Sequence, residues 1–251
     1  MFLSKARANL RIARASSSIG IVLSAVVGAA FQADTVDANR LYAQRTNLAS
    51  ARRAAELWTA ALSKDPKDFD TAWKLSRADY WLGGHVNEKE RSAFFDDGIE
   101  RGRTAAALKP DRPEGHFWFA VNMGAAAELS TRAGLKYRAQ IRSELETVLR
   151  IDPAFLQGSA DRALGRWYAR VPRLFGGNKK LAEEHLRRSL QYNMHSTASH
   201  FFLAELMLDD GRTREARAEL QQVLDAPFEE EWEPENQEFK MKARARLGSI
   251  K

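Results

Sequence analysis

Five histidines, two adjacent carboxylate pairs and two glycine pairs are where this 251-residue chain would keep reactive chemistry, if it has any. His85, His116, His185, His195 and His200 show no compact metal spacing. His195 and His200 are five apart rather than one helical turn, and no His-Glu-x-x-His string occurs, so a structural role is favoured. Asp96-Asp97 and Asp209-Asp210 offer paired acids, but neighbours on a helix point about 100° apart and do not converge on one bond. Gly83-Gly84 and Gly176-Gly177 lack the lysine-serine or Gly-x-Gly context of a phosphate loop, and no Gly-x-Ser-x-Gly string is present. The residues imply no catalytic group, no metal and no cofactor; the expectation is a non-enzymatic binding protein.

Aromatic and arginine residues carry more information. "TAWKLSRADYWLG", "EGHFWFAVNMG", "RALGRWYAR" and "SHFFLAEL" each hold aromatics at positions that cannot all face one helix-helix core. Aligning Leu75, Phe119, Leu164 and Leu203 puts Trp73, Phe117, Arg162 and Phe201 two residues earlier. Arg77, Val121, Arg166 and Glu205 fall two residues later. Arg162 and Arg166 are one helical turn apart.

The elements that must position these residues are helices. From Leu41 onward the apolar spacing is helical nearly everywhere, with no sustained strand-like alternation. A helix ending in an Ala- or Val-Leu pair, followed by a turn that often carries Pro, recurs in "AALSKDP", "AALKPDRP", "VLRIDP", "SLQYNMH" and "VLDAP". The ends at Leu62, Leu108, Leu149, Leu190 and Leu224 are spaced by 46, 41, 41 and 34 residues. The last interval is that of the tetratricopeptide repeat, a helix-turn-helix unit of about 34 residues. Leu203-Ala204, Asp210-Gly211, Ala216 and Leu220 fit it. In such arrays the two flanking positions line the concave face, which makes Trp73, Arg77, Phe117, Val121, Arg162, Arg166 and Phe201 the candidate ligand- or partner-binding residues.

Two readings of that lining stay open. It suits an extended partner segment or a small hydrophobic or carboxylate ligand whose acid meets Arg while its carbon chain lies on the rings. Alternatively the aromatics fill a tight superhelix and the arginines pair with Glu or Asp of the neighbouring repeat. Measured from first-helix landmark to second-helix end, the earlier repeats exceed the last by 12, 9 and 5 residues. The excess falls around the turns at "GGHVNEKERSAF", "ELSTRAGLKYRAQ" and "VPRLFGG", so three enlarged turns are expected on one edge of the stack. The expected fold is therefore all-α: a single tetratricopeptide-like solenoid over 37–250, ending in a capping helix from Trp232 to Ile250.

Residues 1–33 read differently. Lys5, Arg7, Arg11 and Arg14 precede the apolar run "IGIVLSAVVGAAF", the order of a signal peptide, with cleavage fitting after Ala30 or Ala33. An uncleaved amino-terminal anchor and an organelle transit peptide are the alternatives. The formal charge of +6 belongs to this leader: without it 35 basic residues face 33 acidic ones, which argues against a nucleic-acid partner. There is no cysteine, so no disulfide and no lipid-modified amino-terminal Cys, and the exported product is expected to be periplasmic or secreted and soluble once cleaved.

"GHFWFAVNMG", "RALGRWYARVPRLFGGNKKLAEEHL" and "HFFLAELMLDDGRTREARAEL" together resemble the TatT-type component associated with tripartite ATP-independent periplasmic (TRAP) transporters. More distantly they resemble the tetratricopeptide region of eukaryotic regulator of microtubule dynamics proteins. The first resemblance implies a periplasmic solenoid that partners a solute-binding protein, holds a small organic acid or hydrophobic molecule, and assembles as a homotrimer. Members of that group are often lipoproteins, and this chain departs from them in lacking Cys.

Overall fold

The computed structural model describes residues 36–250, and among them every regular element is helical. The leader lies outside the described residues. Helix α1 covers 36–43. It is followed by α2 (Leu48–Lys64), α3 (Phe69–His85), α4 (Glu88–Leu108), α5 (Pro113–Leu129), α6 (Thr131–Ile151), α7 (Phe155–Arg170), α8 (Lys179–Ser189), α9 (Thr197–Asp209), α10 (Thr213–Asp225) and α11 (Glu233–Ser249). Asn47, Asp68, Asn87, Ser130, Asn178 and Ser196 each accept a hydrogen bond from a first-turn N–H of the helix they precede. Each such cap is worth roughly 1 kcal/mol, and Pro113 opens α5. Helix starts are thus written locally, which is why the elements fall where the sequence periodicity puts them.

The hairpins α3–α4, α5–α6, α7–α8 and α9–α10 stack in sequence, with α3 on α5, α5 on α7 and α7 on α9. The core is segmented along the stack, as in an all-α repeat solenoid. One cluster centres on Trp58, Leu75 and Leu82, a second on Phe119, Met123, Leu145 and Leu164, and a third on Leu186, Leu203, Met207 and Leu220.

Two of the three enlarged turns are a correction. The segments at Gly83 and Glu128 are not loops: α3 and α5 run 17 residues and α4 and α6 run 21, against 13 in α9 and in α10. Only residues 86–87 separate α3 from α4, and Ser130 alone separates α5 from α6. Gly83 and Gly84 keep helical backbone, so the extra residues lengthen the helices past the regular repeat. "VPRLFGG" does form an irregular turn, with a short 3₁₀ helix at Arg173–Phe175 closed by Gly176 in the left-handed region at φ 104°. A further departure lies in the first turn of α7, where Leu156, Gln157 and Gly158 adopt φ of 44°, 57° and 73°. The long Leu149–Leu164 interval is used in that left-handed turn, and right-handed helix resumes at Ser159.

The α4–α5 crossing depends on missing side chains. A Cβ on Gly115 would overlap the Ala106 backbone nitrogen, and one on Gly98 would overlap the Asn122 amide. Asn122 is fully buried and donates to the carbonyls of Ser76 (3.0 Å) and Trp118 (2.8 Å), while the Ser76 hydroxyl donates to the Gly98 carbonyl (2.7 Å). This polar cluster ties α3, α4 and α5 together at the point of closest approach.

The last helix does more than cap. Ala243 of α11 joins the third core cluster, and Phe239 packs on Phe201 and Phe202 with ring centroids 5.6 Å from each. The same helix also returns to the start of the array. Arg45, in the α1–α2 turn, donates to both Glu235 oxygens (3.0 and 2.6 Å) and to the Glu231 carbonyl (2.8 Å). Helix α11 therefore lies along the concave side and joins the last repeat to the first.

A partner-binding candidate in the bore of the superhelix

The expected lining residues separate into distinct environments. Phe117 is only 6% exposed and sits in the second core cluster with Trp118 and Phe155; Val121 packs on the same cluster. Phe201 is covered by Phe239 of α11. Trp73 bridges two clusters, its indole N–H bonded to Asp70 at 3.1 Å. These four act in packing first.

The arginines differ among themselves. Arg166 forms an ion pair with Glu128 of the preceding hairpin at 2.6 Å and lies 4.6 Å from the Phe202 ring, so here the pairing of neighbouring repeats holds. Arg77 lies over the rings of Tyr42 (4.2 Å) and Trp73 (5.1 Å), and its Nε is buried without a hydrogen-bond partner. Arg45 sits beside it, only 6% exposed, over Tyr42 and Trp81. Arg162 has no ion pair or hydrogen bond among the described residues, and enclosure pushes its guanidinium down to about 10, opposed only by the field of Tyr80. Tyr80 projects into the same space, 40% exposed, with Arg166, Glu128, Arg162 and Glu235 as charged neighbours. The bore is thus a wetted concavity with aromatic walls, in which Arg77 and Arg162 carry charge that no carboxylate of the described residues neutralises by direct contact.

Elsewhere along the bore the cations meet the chain's own acids, on the acidic segment and on the repeat helices. Glu231 and Glu235 meet Arg45, Arg246 of α11 pairs with Glu205 at 2.9 Å, and Glu229 accepts from Gln157 and Asn193. The acidic run that leads into α11, "FEEEWEPENQEF", reads from sequence as a solvated entry to the capping helix. Its partners lie up to 190 residues away, so no local signal marks them.

The histidines are structural in a way the repeat register shows. His116 lies three residues before Phe119 and bonds Glu144, five before Leu149, at 2.6 Å; its second nitrogen meets the Pro110 carbonyl at 3.1 Å. His200 and Glu219 hold the same two register positions and repeat the contact at 2.6 Å, with the Met194 carbonyl on the other nitrogen. In the repeat between them the residues are exchanged: Asp161 takes the first position and His185 the second, 2.7 Å apart. Three clasps thus tie first to second helices.

His85 is held differently. Its ring stacks on Trp81 at 3.8 Å, one nitrogen faces the Trp81 carbonyl and the other the Glu238 carboxylate, with Glu235, Lys242 and Arg45 as the further charges around the pair. Burial works to lower the His85 pKa, but Glu238 and the Trp81 carbonyl hold it above 6.5. Burial likewise works to raise Glu238, and His85 and Lys242 hold it below 4.5. For His116 the Glu144 hydrogen bond is the leading cause of a raised pKa. A raised histidine contributes stability in full below 6.5 and loses it as pH climbs through the folded value; the depressed Glu238 loses its share as pH falls below 4.5. Thermal melts should therefore show the highest midpoint between those limits and a decline toward pH 9. His116→Gln combined with His85→Gln should flatten the alkaline limb; an unaltered limb would show that these pairs stay uncharged.

The arrangement as a whole defines a class: a helical-hairpin repeat array of the tetratricopeptide kind, closed by its own last helix around a cationic, aromatic bore. The chain belongs to the regulator of microtubule dynamics protein 1-3 family, whose model matches residues 35–188, more than half of it. That match ends within α8. Among solved structures, the tetratricopeptide protein TTC0263 of Thermus thermophilus is similar at 22% identity over 86% of this chain and 98% of that one, with a TM-score of 0.66. A MamA protein is similar at 14% identity over 79% and 92%, with a TM-score of 0.52. These likenesses show the fold. No curated protein matches by sequence.

Proposed function

We propose that the chain is a non-enzymatic protein-interaction adaptor whose concave bore receives a carboxylate-bearing partner segment or organic acid at Arg162. The observation that carries this reading is the unpaired, enclosed Arg162 guanidinium beside Tyr80, in a bore whose other cations largely hold acids of α11 or of neighbouring repeats. A guanidinium partly shielded from water and without a counter-ion favours an incoming carboxylate, which can meet it through a two-pronged hydrogen bond. The leader and the TatT resemblance favour export and a TRAP-type solute-binding protein as the partner, in a trimeric assembly. The family match favours the second reading, a tetratricopeptide scaffold for complexes at the cell envelope or on an organelle.

Affinity capture from native extract with the full chain and with Arg162→Ala tests the proposal. The variant is expected to lose at least about tenfold in recovered partner while its helical melt falls by only a few degrees, since no ion pair or hydrogen bond is broken and only packing of the side-chain stem is lost. Recovery of a solute-binding protein supports the transporter reading, and recovery of assembly factors the scaffold. Unchanged recovery would overturn the role of Arg162, and a collapsed melt would make it structural.

A further inference from the structure

The edge formed by the lengthened helices carries a second surface. Leu129 and Leu135, at the α5–α6 tip, are 44% and 48% exposed; Leu174 and Phe175, on the 171–178 turn, are 87% and 41% exposed. The two tips adjoin. The Arg138 guanidinium lies 5.0 Å from the Phe175 ring, and the Trp167 indole N–H donates to the Arg138 carbonyl at 2.9 Å. The turn is held in place: the Asn178 N–H donates to the Tyr168 carbonyl at 2.9 Å, and Gly176 rests against Trp167. Leu174 is thus presented on a braced apex.

The charge on these two apolar tips is mainly basic, with Asp96 of α4 the acid that lines the same concavity as Leu129, Arg132 and Lys136. Arg132, Lys136, Arg138 and Arg173 lie on the two tip segments, and none forms a salt bridge with a carboxylate among the described residues: Lys136 donates to the Tyr137 hydroxyl and Arg138 to the Leu135 carbonyl. From Ser130 to Ser143 and from Arg162 to Lys180 the sequence holds no Asp or Glu. The two segments come from different hairpins, and the fold brings them to one rim.

We propose that this rim docks on an anionic lipid surface, with Leu174 and Phe175 entering the headgroup region and Arg132, Lys136, Arg138 and Arg173 meeting lipid phosphates and carboxylates. An acidic protein is the competing partner, but the shape favours lipid. Leu174, 87% exposed, stands on the apex of a turn rather than in a groove, and long basic side chains flank it, as at an interface where stems lie along acyl chains and heads reach phosphate. The proposal does not depend on the occupant of the bore.

Because the chain has no cysteine, a single Leu174→Cys change takes one environment-sensitive fluorophore at the rim. Met194→Cys, on the opposite inter-repeat edge and 68% exposed, serves as the control in the same full chain, so that insertion of the leader is not mistaken for docking. Vesicles of phosphatidylcholine with about 30% phosphatidylserine should shift the 174 label to the blue and leave the 194 label unchanged. Apparent affinity should be at least about tenfold above that for pure phosphatidylcholine, and should fall at least about tenfold in an Arg138→Gln, Arg173→Gln background and in about 0.5 M salt. No shift at 174, equal shifts at both labels, or a response to polyglutamate without one to vesicles would each overturn the proposal, the last in favour of an acidic protein.

Discussion

Gly115→Ala is expected to lower stability by about 2–3 kcal/mol, and so the thermal midpoint by roughly 5–10 °C for a domain of this size. A Cβ at 115 would overlap the Ala106 nitrogen and stand 2.7 Å from the Ala105 carbonyl carbon. Those atoms are helix backbone and cannot rotate aside. Relief would have to come from moving α5 away from α4, which would also stretch the Asn122 bonds to Ser76 and loosen the packing around Phe119. Gly124, on the same helix, supplies the internal control: nothing lies within 4 Å of its Cβ position. Gly124→Ala should leave stability unchanged or raise it by up to about 1 kcal/mol through helix propensity. Denaturant unfolding of the two variants side by side checks both, and equal effects would show that the α4–α5 spacing is not set by glycine.

That contrast also marks what the sequence reveals. Both glycines stand in "GHFWFAVNMG", and nothing in the string says which one faces a neighbour. Helix starts and the repeat interval are legible because capping side chains and apolar spacing act within a few residues. The growth of α3 to α6 is hidden, because Gly83, Gly84 and Gly134 look like turn residues until their backbone is seen to stay helical. The His-carboxylate clasps leave a readable trace, since they fall three residues before one landmark and five before the next. The exchange of acid and histidine in one repeat breaks that trace, and composition by register position no longer shows it.

The bore is partly legible. Repeat register brings arginines from α3 and α7 toward Tyr80, but register cannot tell a paired cation from an unpaired one. Arg166 and Arg162 share a helix face one turn apart. Only the structure shows that Glu128 reaches the first and no carboxylate reaches the second. Their different consequences come from the length of α5, whose extra turn carries Glu128 to Arg166.

Arg45→Ala should cost about 3 kcal/mol and loosen α11 from the start of the array, leaving Glu238 on His85 as the remaining tie there. In a linear solenoid each unit touches only its neighbours, so a contact between residues 45 and 235 changes the kind of cooperativity the array has. Arg45 is 6% exposed, lies over two aromatic rings, and meets Glu235 through two hydrogen bonds and Glu231 through a third. Removing it strands the Glu235 carboxylate, which is partly exposed and hence partly rehydrated, so the loss falls at the lower end for a buried pair. In a double-mutant cycle with Glu235→Ala, a coupling of about 1.5 kcal/mol or more is expected. Limited proteolysis should then cut the 226–232 linker, where Phe228 is already 72% exposed, while α9 and α10 stay protected. Additive single losses with an unaltered cleavage pattern would mean that the other contacts of α11 hold it without Arg45: Phe239 on Phe201 and Phe202, Ala243 in the third cluster, and the Glu238 and Arg246 pairs. Partner capture by Arg45→Ala separates two roles for the helix. If α11 competes for the bore, freeing it raises recovery at Arg162; if it shapes the bore, freeing it lowers recovery along with stability.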